Sequence, residues 1–144
     1  MKTVLISGGS GKLASYLLDH GKEIGHSVVS LNRKEMDVTN RQSIAKALDI
    51  HRPDIFIHSA AYTRPMNKHQ TNPHISLQTN IVGTSNVVLE CMARRTKLVY
   101  ISTDYVYPGV EGNYSEDSSL SPFTGNNDGV TKYGWSKLGG ECAV

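Results

Sequence analysis

Short apolar runs alternate along this chain with longer stretches whose apolar residues recur at helical spacing. Thr3–Ser7, Ser27–Leu31, Ile55–His58 and Leu98–Ser102 are rich in Val, Ile and Leu, and predict short strands buried on both faces. A first helix is predicted from about Gly11 to Ile24 with Leu13, Leu17 and Ile24 inward. A second has a capping box, Thr39 at the N-cap and Gln42 three residues on, buries Ile44, Ala47 and Leu48, and is closed by Arg52-Pro53. A longer helix from about Pro73 to Arg95 turns Leu77, Ile81, Thr84, Val88 and Met92 to the sheet, and a last one begins near Val130. The polar stretch Gly109–Gly129 reads as a long loop. Strands alternating with helices predict an α/β fold, a doubly wound parallel sheet.

Composition narrows the class. With 144 residues, 38% of them hydrophobic, one domain covering 1–144 with a real core is expected. The net charge of +2 is small and the basic residues are scattered, which argues against a nucleic-acid partner. Met1-Lys2 leads into Thr3-Val4-Leu5-Ile6, which stops at Ser7-Gly8-Gly9, too short for a signal core or a membrane span. A cytoplasmic location is therefore expected. Cys91 and Cys142 lack partners at metal spacing, so reduced thiols and no metal site are expected.

Chemistry enters at Ser7-Gly8-Gly9-Ser10-Gly11-Lys12-Leu13-Ala14, which follows a predicted strand and opens a predicted helix. That is the context of a dinucleotide fingerprint, in which glycines let the backbone approach a pyrophosphate at a helix N-terminus. Gly9-x-Gly11-x-x-Ala14 and the wider Gly8-x-x-Gly11-x-x-Ala14 both fit. A P-loop does not, because Leu13 follows Lys12 and Ile6 stands where the first glycine belongs. At the end of the second strand an acid bonds the free ribose of NAD, whereas an arginine accepts the 2′-phosphate of NADP. Here the residues are Leu31-Asn32-Arg33-Lys34, which favours NADPH, with NADH as the alternative. Asp37-Val38 lies beside that tip, placed to offer a carboxylate and an amide to an adenine.

Tyr133 and Lys137 share one face of the last predicted helix. Chance alone supplies roughly 0.4 such pairs in a chain of this composition, so only its company makes it informative. A ketone accepting hydride needs a proton, a phenol near pKa 10 is a sluggish donor, and an adjacent ammonium lowers that value. Thr103, at the carboxyl end of the fourth strand, stands where doubly wound sheets place ligands, and its hydroxyl can hold the reacting oxygen.

Together with Met36-Asp37-Val38-Thr39, Ser59-Ala60-Ala61-Tyr62-Thr63, Asn80-Ile81-Val82-Gly83-Thr84 and Ser102-Thr103-Asp104-Tyr105, these segments give the chain a resemblance to the extended short-chain dehydrogenases/reductases. The dTDP-4-dehydrorhamnose reductase group is the nearest. The resemblance implies a Rossmann-type fold and reduction of a keto group on a nucleotide sugar by NADPH. It implies Tyr133 as acid, Lys137 as its partner and ribose ligand, and Thr103 on the reacting oxygen. Gly8, Ser10, Gly11, Lys12, Leu13, Asn32, Arg33, Asp37, Val38, Ala60, Ala61, Tyr62 and Asn80 would meet the cofactor, and Thr103, Asp104 and Tyr105 the substrate. Members of this group continue into a carboxyl-terminal substrate domain beyond the extent of these residues, which implies a partner chain or second copy over the uncovered edge. Arg64-Pro65-Met66-Asn67-Lys68 departs from the group after Thr63, and the approach Phe123–Val130 is longer. Epimerases and dehydratases on the same fold are the alternative enzymes, although Tyr105 after Asp104 lacks the acidic pair used for elimination. A non-catalytic module like the regulatory subunit of methionine adenosyltransferase is the alternative outside catalysis.

Overall fold

The computed structural model describes residues 1–110, 112–122 and 128–144. Four strands, β1 (Thr3–Ser7), β2 (Ser27–Leu31), β3 (Ile55–His58) and β4 (Lys97–Tyr100), form one parallel sheet in the order β2-β1-β3-β4. Thr3 to Ser7 pair with Ser27 to Leu31, Val4 to Ser7 with Ile55 to His58, and Ile55 to His58 with Lys97 to Tyr100. The chain winds from β1 out to β2 and then crosses back to β3 on the other side. The carboxyl ends of β1 and β3 are thus the topological switch point, where sheets of this class open a crevice for ligands.

Alternate residues feed two cores, as the period of a strand requires. Leu5 and Phe56, both fully buried, meet Ile44, Ala47 and Leu48 of α2 (Arg41–His51) and Val87 and Cys91 further along the chain. Val4, Ile6 and Val28 face the other way, onto Ala14, Leu17 and Leu18 of α1 (Lys12–Glu23). The doubly wound fold is therefore as predicted, and α2 buries its predicted stripe.

Several details differ. In α1 the small residue Ala14 faces the sheet, while Leu13 and Ile24 are exposed, because the helix approaches too closely for a larger side chain. The cap of α2 is Asn40, whose Oδ1 accepts from the amides of Gln42 and Ser43 at 3.0 and 3.2 Å. Thr39 instead donates its amide and hydroxyl to Asp37. Strand β4 ends at Tyr100 because β3 offers no partner past His58.

The predicted long helix is a composite. After a four-residue turn α3 (Lys68–Thr71) come α4 (Pro73–Ser76), a π-helical segment Leu77–Val82, and α5 (Gly83–Arg94). The wider turn changes the phase: Ser76, Asn80, Thr84, Val87 and Cys91 are buried, whereas Leu77 and Met92 are exposed. Glu90, also buried, is held by Arg41 of α2 and by Arg94, which reaches on to Asp49 at 2.8 Å. The last helix, α6 (Asp128–Glu141), packs on α3, on the π segment and on a 3₁₀ turn Asp104–Val106. Part of the predicted Gly109–Gly129 loop, and of the Phe123–Val130 approach, lies outside the described residues.

Candidate active site

The glycine turn delivers a cradle at the switch point. Gly8 has φ +76°, which an L side chain rarely adopts, and a Cβ there would meet the Ala60 backbone at 3.0 Å. The β1–α1 turn therefore lies directly against the β3 exit. Gly11 caps α1 without any side-chain bond, so the amides of its first turn point out of the helix with their positive dipole end. Beside them runs a groove of ≈ 560 Å³. Of the expected cofactor residues, Gly8, Ser10, Gly11, Lys12, Leu13, Arg33, Asp37, Val38, Ala60, Ala61 and Tyr62 line it. Met36, Thr39, Ser59, Thr63 and Thr79 line it as well without having been picked as site residues, although the first three stand in the segments that carried the resemblance.

At the tip of β2 a second, shallower pocket is lined by Ser10, Asn32, Arg33, Lys34 and Asp37. Asn32 belongs to this pocket rather than to the main groove. Arg33 is mostly exposed and its Nε stands 3.4 Å from Asp37 Oδ2, a long, loose ion pair. Burial works to raise the Asp37 carboxyl, but the Thr39 hydrogen bonds and the Arg33 charge outweigh it and hold it below the ordinary carboxylate range.

Tyr133 and Lys137 lie outside the groove lining, on the inward face of α6, with 8% and 3% exposure. Gly134 between them permits this depth, since a Cβ there would collide with the Tyr105 carbonyl. Burial pushes the Tyr133 phenol above its ordinary value, an effect tempered by a hydrogen bond with the Thr103 hydroxyl. Thr103 also caps the 3₁₀ turn, accepting from Tyr105 N at 3.3 Å, and its Oγ1 lies 3.1 Å from Asp104 Oδ1. The Tyr105 ring meets Tyr133 edge-on, 5.8 Å between centroids. Lys137 Nζ donates to the Ile101 carbonyl at 2.7 Å and sits 4.0 Å over the Tyr100 ring. Desolvation brings this lysine down to about 8. The expected acidification of Tyr133 by Lys137 is thus not the arrangement found: the ammonium is directed at Ile101 and Tyr100, and the phenol is raised.

Asn80 does not face the groove. Its Oδ1 accepts from Tyr62 N at 2.7 Å, and its Nδ2 donates to Tyr62 O at 3.0 Å and to Ser136 Oγ at 2.9 Å. It clamps the groove wall to α6. Below it runs a directed chain of hydrogen bonds. Thr84 donates to Asn80 O, so Thr84 accepts from His58 Nε2 at 3.0 Å, and His58 Nδ1 accepts from Ser7 Oγ at 2.8 Å. Ser7 Oγ in turn receives the amides of Ser59 and Ala60. Burial, then the nearby Lys137 charge, drive His58 down to about 3, so it is the neutral Nε2–H tautomer that fits. Sequence reading missed this histidine, which is indistinguishable there from any strand residue.

Residues 1–144 match the family described as the RmlD substrate binding domain. The chain belongs to that family. It is 31% identical over 141 residues to a dTDP-4-keto-6-deoxy-D-glucose reductase of Streptomyces niveus, covering 97% of this chain and 46% of the relative. To a dTDP-4-dehydrorhamnose reductase of Mycolicibacterium smegmatis it is 32% identical, over 98% of this chain and 41% of the relative. The crystal structure of dTDP-4-dehydrorhamnose reductase from Bacillus anthracis in complex with NADP superposes with a TM-score of 0.86 at 30% identity, over 99% of this chain and 49% of that one. The chain thus spans about half the length of the RmlD-family relatives it matches. Among the described residues no helix is long and apolar enough to cross a membrane, and no cluster of side chains could hold a metal.

Proposed function

We propose that these residues form the cofactor-binding half of an NADPH-dependent reductase acting on a keto group of a nucleotide-activated sugar. The observation that carries this reading is the burial of Tyr133 and Lys137 on one face of α6, with the Thr103 hydroxyl bonded to the phenol, behind a groove built on a glycine turn. The relatives' names, and NADP in the Bacillus anthracis structure, support it.

The groove fits a dinucleotide. The uncapped start of α1 suits a pyrophosphate, and the cations at the β2 tip suit a 2′-phosphate. Ala60 and Ala61 leave the far wall low enough for a flat ring. When bound, the dihydronicotinamide supplies hydride. Tyr133, kept protonated at neutral pH by its burial, donates its proton to the oxygen on which negative charge develops, and Thr103 holds that oxygen. Lys137 ties down the ribose and favours phenolate as it forms, while Asp104 and Tyr105 face the sugar. Asn80 acts on the cofactor indirectly, through the Tyr62 backbone.

Calorimetric titration of the chain with NADPH tests the reading. Saturable binding that Lys137→Ala weakens and Tyr133→Phe leaves nearly intact is expected. Absence of NADPH binding by a folded chain would sink it. Loss of NADPH absorbance on adding a dTDP-4-dehydro-6-deoxyhexose, abolished by Tyr133→Phe, would extend it to the substrate.

A further inference from the structure

One fully buried side chain touches both the groove wall and the candidate acid, and nothing in the reading above uses it. His69 stands on α3 with its ring centroid 5.2 Å from Tyr62 and 5.1 Å from Tyr133, tilted by 57° and 56° to them. Its Nε2 lies 3.3 Å from the Thr63 carbonyl, which can only accept, so Nε2 carries the hydrogen. Nδ1, at 2.6 Å from Ser76 Oγ, is then the acceptor of the serine hydroxyl. Both ring nitrogens are satisfied by the neutral imidazole, and burial works in the same direction, holding its pKa below the ordinary value. Protonation would set a second N–H against Ser76 and leave a charge among aromatic rings.

We propose that His69 is a positioning residue for the proton donor, a neutral imidazole that the Thr63 carbonyl and the Ser76 hydroxyl fix in place so that it seats Tyr133 and Tyr62 together. The proposal rests on the reading of Tyr133 as the acid. Thr63 and Tyr62 line the groove, so the imidazole links the wall beside a bound cofactor to the phenol that must meet the substrate. The rest of the phenol's surroundings come from Thr103, Asp104 and Tyr105 in and before the 3₁₀ turn, with Lys137 one turn further along α6. His69 closes the α3 side of that setting. A generic packing residue would serve stability alone; this one controls how much water reaches the phenol.

The test reads Tyr133 itself. Labelling with tyrosine carrying ¹³C at Cζ gives one resonance for each of the 7 tyrosines, and Tyr133→Phe identifies the one of interest. His69→Gln retains a donor for Thr63 and an acceptor for Ser76 but removes the ring, admitting water. The Tyr133 titration midpoint is expected to fall by about half a unit or more. His69→Phe keeps a ring between the two tyrosines and is expected to restore the midpoint to within about 0.2 unit, even if it is the less stable variant. Ser76→Ala, a milder change that frees the imidazole, should shift the midpoint in the same direction by less, and decides the matter if His69→Gln fails to fold. An unmoved midpoint in the folded variants, or His69→Phe falling as far as His69→Gln, overturns the proposal. NADPH affinity measured on the same samples separates the two readings: a wild-type chain that binds no NADPH removes the proposed function, whereas an unmoved Tyr133 with normal NADPH binding removes only the role of His69.

Discussion

Replacing Arg33 by alanine tests cofactor choice where the structure is most explicit. The side chain is 75% exposed and held only by the 3.4 Å contact with Asp37, so it is free to turn towards a phosphate at the β2 tip. Hydrogen bonds to a charged group contribute about 1.5–3 kcal/mol, and exposure to solvent reduces this to roughly 1–1.5 kcal/mol. Arg33→Ala should therefore weaken NADPH about five- to tenfold and NADH hardly at all. Asp37→Asn gives a signed control. Its Oδ1 can still accept from Thr39, but a negative charge leaves the pocket, and NADPH should tighten by about threefold, from ~0.7 kcal/mol between like charges near the surface. Both differences should shrink as salt rises. The assay is calorimetric or fluorescence titration of each variant with each nucleotide at two ionic strengths. Equal loss of both nucleotides in Arg33→Ala, or wild-type preference for NADH, would refute the assignment of the β2 tip.

Three further outcomes follow. Thr103→Val should leave NADPH affinity within about twofold of wild type, because the hydroxyl faces the reacting oxygen and not the nucleotide; a large loss in titration would move Thr103 into the cofactor site. His58, lowered to about 3 in the fold against 6.5 unfolded, binds no proton where the unfolded chain does, so its contribution is full above pH 6.5 and declines as pH falls towards 3. Denaturant unfolding should lose about 2 kcal/mol between pH 6.5 and 5, and His58→Asn should flatten that slope. Glu90, held below the usual carboxylate range by the Arg41 hydrogen bond and, after the opposing effect of burial, by Arg94, stabilises the fold above its unfolded pKa and loses that contribution as pH falls through the folded one. Glu90→Gln should cost about 1.5–3 kcal/mol at pH 7 and much less near pH 3, as read by urea melts.

The strands and the glycine turn were legible because their signals are local: β-branched runs, and glycines at a strand–helix junction. The stripe of α2 was legible for the same reason, since Ile44, Ala47 and Leu48 lie on a regular helix. What failed depended on partners elsewhere in the chain. Leu13 reads as core until the close approach of α1 to the sheet selects Ala14 instead, and Thr39 reads as a cap until Asp37 claims its hydroxyl. Asn80 was rightly singled out, but its role was not visible, because Tyr62 and Ser136 are distant in sequence. The Tyr133–Lys137 face was legible from spacing, whereas the direction of the ammonium towards Ile101 was not. His69 carried no signal, since a histidine on a four-residue helix has no pattern to break.

The π-helical turn at Leu77–Val82 makes the chain sensitive to length at one place. A π turn holds one more residue than the α turn it replaces, and here that residue sets which side chains after Ser76 look inward. Deleting Gln78 would let the segment relax into a continuous helix and advance every later position by about 100°. Asn80 would then turn away from Tyr62 and Ser136, although no residue of the site had been substituted. An insertion or deletion of one residue here is thus a change of gear for the whole helix, while the same edit in the 109–122 stretch would be taken up by loop. The register of this one turn is what a designer grafting or trimming the domain must leave intact.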